Sequence, residues 1–348
     1  MHRASAAKPR TLTTTESRPT TSAAQSPQLA DRLAQVERLF PVPRMPPAEL
    51  SIRLKTSPLL RRLVPTRFVV SRAERKGEAV WQEAGREHER ALETMAAVVC
   101  GTAREPELAE LSRRHVIENH VWDGLFWQRW RPPRIEPRSR ELLLELAASP
   151  RGMILSPCHI GPYFRSGRLF EALGIKTYAA SGEWFFQAPS NDYWGRRLAR
   201  WRRSVWRIRL VPATGSYEVL RALLARGECV WVYFDMPGRR QTPFLGKTAA
   251  LADGTVRLAE ETGAPIVPMR ARRAAHEVWL DVGTPLEAAD FRDTEALQRE
   301  LARRHDAWIL ELPEAMAPPR AFGWEDGATA QGWSRPRSQR TDKTSPVG

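Results

Sequence analysis

The sequence predicts an α/β fold, a largely parallel sheet flanked by helices and preceded by a helical N-terminal region. Three observations carry this. From Ser139 onward, short apolar runs alternate with segments of helical period. Two of those runs, Met153-Ile154-Leu155 and CVWVYF from Cys229 to Phe234, have the composition of buried strands. Between Leu29 and Arg131 the pattern is helical, with breaks at PVPRMPP and REPE.

The elements follow in order. SRELLLELAA reads as a helix, GMILS as a strand, and PYFRSGRLFEAL as a helix opened by Pro162 and closed by Gly174. IKTYAA is a strand, NDYWGRRLARWRRSVW a helix, RIRLV a strand and SYEVLRALLARGE a helix. After the strand CVWVYF comes the helix DGTVRLAEETG, with Asp253 as its N-cap and Gly263 ending it. PIVPM and EVWLDV are strands, and a last helix spans about Thr294 to Leu312. The organisation predicted is a disordered arm over 1–28, rich in Ser, Thr and Pro, a helical region over 29–135, an α/β domain over 136–326 and a disordered tail over 327–348.

The 348 residues are 42% hydrophobic and 27% charged, the balance of a folded soluble chain. A net charge of +14, carried by 48 arginines and 6 lysines, favours an acidic partner. No helix-turn-helix, zinc-finger or RNA-recognition signature accompanies the charge, so specific nucleic-acid binding is not expected. Cys100, Cys158 and Cys229 have neither metal-ligand spacing nor a disulfide framework, so no metal is expected and a reducing compartment is. The N-terminus lacks the apolar core of a secretory signal, and no apolar run reaches the roughly 18 residues a membrane span needs. The expectation is a cytoplasmic protein, peripheral on the inner face of the cell membrane.

In parallel sheets ligands bind beyond the carboxyl ends of the strands. His159 lies just past one such end, where a helix starting at Pro162 would favour a neutral imidazole. Two more strand ends carry acids, Glu183 after IKTYAA and Asp235 after CVWVYF, and parallel strands would gather all three. Cys158 adjoins His159, but successive extended residues point to opposite faces, which makes it a small buried side chain. His88, His115, His120, His276 and His305 read as structural histidines.

The segment from about Ser139 to Trp324 resembles the bacterial lipid A biosynthesis acyltransferase family, which includes mycobacterial mannoside acyltransferases. The resemblance lies in MILSPCHIGPYF, in LRALLARGECVWVYFD, in TPFLGKTAALADGTVRLAEETGAPIVPM and in the late PEAMAPPRAFGW. It implies a glycerol-3-phosphate acyltransferase-like mixed sheet. It also implies transfer of a fatty acyl chain from acyl-CoA or acyl carrier protein to a hydroxyl or amine, with no further cofactor. His159 matches the histidine of the family's H-x-x-x-x-D/E motif, the general base, and Asp235 matches a functional aspartate. The motif's acid falls on Phe164, and Glu171 lies two turns farther on, roughly 10 Å by helix rise. Either Asp235 or Glu183 orients His159 instead, or the acid's function is lost and the protein binds acyl groups or anionic membranes without efficient catalysis.

Two basic segments complete the candidates. Arg239, Arg240 and Lys247, with Gly246 of the phenylalanine-glycine turn, either hold phosphates of a substrate or form a solvated loop. WGRRLARWRRSVWRIRL holds seven arginines and no acid. There Trp194, Leu198 and Trp201 share one helical face, suited either to an anionic membrane surface or to docking on the sheet.

Overall fold

Nine strands and eight α-helices lie within residues 63–126, 132–181, 207–212 and 215–317, which the computed structural model describes. The strands are β1 (Arg134–Ile135), β2 (Met153–Pro157), β3 (Thr177–Ser181), β4 (Arg209–Pro212), β5 (Cys229–Trp231), β6 (Pro237–Phe244), β7 (Lys247–Leu251), β8 (Ile266–Ala274) and β9 (Glu277–Val282). The helices are α1 (Thr66–Gln82), α2 (Arg86–Val99), α3 (Leu108–Phe126), α4 (Pro137–Ala148), α5 (Ser166–Ala172), α6 (Ser216–Leu224), α7 (Gly254–Thr262) and α8 (Thr294–Glu311). Seven strands form one sheet in the order β1-β9-β8-β2-β5-β3-β4, and β6 and β7 form a separate hairpin. Every pairing in the large sheet is parallel except that of β8 with β9.

The apolar strand runs are explained by burial on both faces. Ile154 of β2, Val230 of β5 and Ile266 of β8 pack with α6, α7, α8 and Met95 of α2. Their neighbours Met153, Leu155, Cys229, Trp231 and Val267 pack on the opposite face with Leu143 of α4 and Phe170 of α5. A third cluster joins Val70 and Ala73 of α1 and Val121 and Leu125 of α3 to Phe164 and Val278. Arg273 of β8 ties the helical region down further, pairing with Glu74 of α1 at 3.1 Å and with Glu118 of α3.

Four local expectations are corrected. The helix read from Pro162 begins at Ser166, after a 3-10 turn over Tyr163–Arg165. Pro162 is not its first residue but the centre of an inverse γ-turn, at φ −75° and ψ 50°, closed by Tyr163 N–H donating to the Gly161 carbonyl at 2.8 Å. Asp253 occupies the N-cap position of α7, but its carboxylate accepts from Arg240 Nε and Nη2 at 3.3 and 3.1 Å and does not cap the helix. The strand read as PIVPM continues to Ala274 because β9 pairs along its second half. The segment from Arg239 to Lys247, one of whose readings was a solvated loop, is an antiparallel hairpin. Its two-residue turn places Leu245 and Gly246 at φ 53° and 72°, a combination favoured by hairpin twist but rarely occupied by leucine. The segment with Trp194, Leu198 and Trp201, expected to be a helix, the carboxylate Glu183, and the predicted arm and tail lie outside the described residues.

The hairpin tip is anchored by Asp306 of α8, which accepts from Leu245 N–H at 3.0 Å. Burial raises this carboxyl to about 6. A raised acid pKa disfavours the ionised folded state, so this group costs stability above pH 6 and the cost disappears as pH falls toward 4. Its neighbour His305 runs the other way: burial lowers it to about 4, so its contribution is present above pH 6.5 and is lost toward pH 4. Asp306→Asn keeps an acceptor for Leu245 and removes the charge. It is expected to raise stability by about 1–2 kcal/mol at pH 7, discounted for partial exposure, and by only a small part of that at pH 4. Urea unfolding at the two pH values checks this; an equal effect at both would assign the change to packing.

No helix among the described residues is long and apolar enough to cross a membrane.

Candidate active site

The strands β2 and β5 are parallel neighbours with the register Met153 to Cys229, Ile154 to Val230 and Leu155 to Trp231. The pairing continues past the strands, with Val232 N–H donating to the Leu155 carbonyl and Phe234 N–H to that of Pro157, both at 2.9 Å. His159 and Asp235 stand in the same register, six residues beyond Met153 and Cys229 respectively. The sheet itself therefore brings the imidazole and the carboxylate together at its carboxyl edge.

Asp235 is fully buried and holds His159 twice. Its Oδ2 accepts from the His159 backbone N–H at 2.8 Å, and its Oδ1 lies 2.9 Å from the ring Nδ1. An ionised carboxylate only accepts, so this contact places the ring proton on Nδ1 and the lone pair on Nε2. The ring is sandwiched as well as tethered. Tyr233 stacks on it with centroids 4.2 Å apart, and Tyr163 meets it edge-on at 5.0 Å. Burial pushes both phenols above their usual range, so neither gives up its proton near neutral pH.

The loop carrying His159 is fixed from behind by the chain segment after α8. Ala317 N–H donates to the His159 carbonyl and Gly161 N–H donates to the Ala315 carbonyl, both at 2.8 Å. Gly161, at φ 63°, lies so close to β8 that a Cβ would fall 1.9 Å from the Ala271 carbonyl oxygen. Only glycine fits there. Beneath the dyad His305 hydrogen-bonds the Ser156 backbone and stacks on Phe234 at 5.1 Å, a structural role.

The other candidates are distributed differently. Phe164 points away from this chemistry, into the cluster with α1 and α3. Cys158 is buried, and its thiol is pushed well above the usual value by burial, as an inert side chain. Arg240 is engaged by Asp253 at 3.1 Å. Lys247 donates to the Ala97 carbonyl near the end of α2 at 2.7 Å, and Gly246 fits against Gly101, whose carbonyl oxygen a Cβ would approach to 2.7 Å. These three hold the hairpin in place. Arg239 is exposed near the start of β6, four residues from Asp235. The two tyrosines were not anticipated; Tyr233, two residues before the acid in the strand continuation, was the available signal.

No protein-family model matches the chain. No curated protein matches it either. Among solved structures it is similar to the 1-acyl-sn-glycerophosphate (LPA) acyltransferase PlsC from Thermotoga maritima, with 16% identity over 73% of this chain and 98% of that one, at a TM-score of 0.32. A likeness this loose transfers neither residues nor activity. The lipid A acyltransferase resemblance accordingly rests on the sequence motifs alone.

Proposed function

We propose that the protein is an acyltransferase that moves a fatty acyl chain from an acyl thioester to a hydroxyl or amine. The donor is acyl-CoA or acyl carrier protein, and the acceptor a glycolipid, lysophospholipid or specialised metabolite. The observation that carries the proposal is the buried His159–Asp235 pair at the carboxyl edge of the sheet. His159 Nε2 removes the proton of the acceptor as its oxygen or nitrogen attacks the thioester carbonyl. The tetrahedral intermediate collapses, the carbon–sulfur bond breaks, and the imidazolium returns the proton to the departing thiolate. Asp235 keeps the ring in the required tautomer and stabilises the imidazolium. In this reading Asp235 supplies what the motif position at Phe164 lacks, and the protein works at the inner face of the cell membrane.

The test is thioester consumption by the purified protein, given a panel of acyl-CoA and acyl carrier protein donors with membrane extract as acceptor. Transfer is expected, and His159→Ala should abolish it. Transfer that survives His159→Ala would remove the histidine from the mechanism. Saturable donor binding without transfer, in the presence of verified acceptors, would favour an impaired homologue that only binds acyl groups.

A further inference from the structure

The segment that fixes the His159 loop from behind, Pro313 to Ala317, is itself held by α3. It follows α8 and opens with a 3-10 turn over Pro313–Ala315. Ala317 N–H and the Ala315 carbonyl bond the loop at His159 and Gly161, and Met316 bridges antiparallel to Ile160. The Glu314 carbonyl, next to that of Ala315, bonds α3 instead, where His115 Nδ1 lies 2.9 Å away. A carbonyl only accepts, so the His115 proton sits on Nδ1 and Nε2 carries the lone pair. Asn119, one turn farther along the same helix, places its Nδ2 3.0 Å from Nε2 and donates to it. His115 is 2% exposed, and burial holds its ring below the ordinary histidine range, neutral at neutral pH. Both ring nitrogens are thus satisfied in a single tautomer.

We infer that His115 is a positioning residue for His159, acting from the helical region through the Pro313–Ala317 segment. The carbonyl that His115 holds and the carbonyl that Gly161 holds belong to successive residues, so a displacement of the first carries the second with it. The same helix meets the loop again farther on, where Val121 and Leu125 pack with Phe164. It therefore braces the catalytic loop by hydrogen bonds at Gly161 and by packing at Phe164. Asp235 fixes the tautomer of the His159 ring, and this bracing fixes the backbone from which the ring projects. The consequence for transfer rests on the acyl-transfer reading; the consequence for the His159 ring does not.

Two variants of the full chain test this. His115→Phe keeps an aromatic ring but donates nothing to Glu314, whereas His115→Asn keeps an N–H donor at the δ position. The proton on His159 Nδ1 is followed by proton NMR, identified by its loss in His159→Ala, and backbone amides are followed by hydrogen exchange. In His115→Phe the Nδ1 proton and the amides of Gly161 and Ala317 are expected to exchange at least about tenfold faster, with the β6–β7 hairpin unchanged. The kcat for acyl transfer should fall roughly ten- to a hundredfold, with KM within about twofold. His115→Asn should bring exchange and kcat back to within about threefold of the wild type. An unchanged Nδ1 proton or unchanged loop amides in His115→Phe would overturn the inference. So would faster exchange with kcat intact, a defect that His115→Asn fails to rescue, or equal acceleration in the hairpin, which would assign His115 to global stability. If the wild type consumes no thioester, the acyl-transfer reading fails, while the proton and amide measurements still decide whether His115 positions His159.

Discussion

Asp235→Asn is expected to lower kcat for acyl transfer by about 10⁴, with KM little changed, because it removes the correct histidine tautomer. The substitution preserves shape, but neither orientation of the amide satisfies both bonds that Asp235 makes. With its oxygen on the His159 backbone N–H, the amide NH₂ faces Nδ1. The ring then accepts at Nδ1 and carries its proton on Nε2, where the base is needed. With the amide reversed, Nδ1 is satisfied but a buried backbone N–H faces an NH₂ group, at a cost of about 1–3 kcal/mol. The first state is folded and inactive; the second is destabilised. Steady-state kinetics beside thermal unfolding separates them, and adding Asp235→Asn to His159→Ala should cost no further activity. A fall of less than tenfold would leave Asp235 with only a structural part.

The pairing behind that expectation was half legible in the sequence. Apolar runs ending in His159 and Asp235 marked two strand ends, and helices between them implied parallel strands. The choice between Asp235 and Glu183 was not legible, because it depends on which strand lies beside β2. The strand that Asp235 follows, β5, is the neighbour of β2, and the Asp235 carboxylate lies 2.9 Å from the His159 ring, whereas Glu183 lies outside the described residues. The β6–β7 hairpin escaped notice for a different reason. PGRRQTPF opens with proline, contains a second and shows no apolar–polar alternation, and its turn is Leu-Gly rather than Asn-Gly. Its cohesion comes from distant partners, Asp306 and the Ala97 carbonyl, which no local pattern encodes.

Phe164→Asp, which restores the acid of the motif, is expected to destabilise the protein by more than about 4 kcal/mol without accelerating transfer. Phe164 is 8% exposed and packs with Val70, Ala73, Val121, Leu125 and Val278, edge to face with Tyr163 at 6.0 Å. Removing a buried phenylalanine alone costs about 3–5 kcal/mol, and a carboxylate in an apolar cluster adds a desolvation penalty. The introduced acid would titrate above its usual range, so the loss should deepen as pH rises from 4 to 7. Phe164→Leu separates volume from charge and should cost less than the aspartate variant at every pH while retaining activity. Urea unfolding and kcat on the same preparations decide the matter: a stable, faster Phe164→Asp would return the catalytic acid to that position. Otherwise the residue belongs to the packing that joins the helical region to the turn carrying Tyr163 and Arg165, and the acid's work falls to Asp235, one strand over.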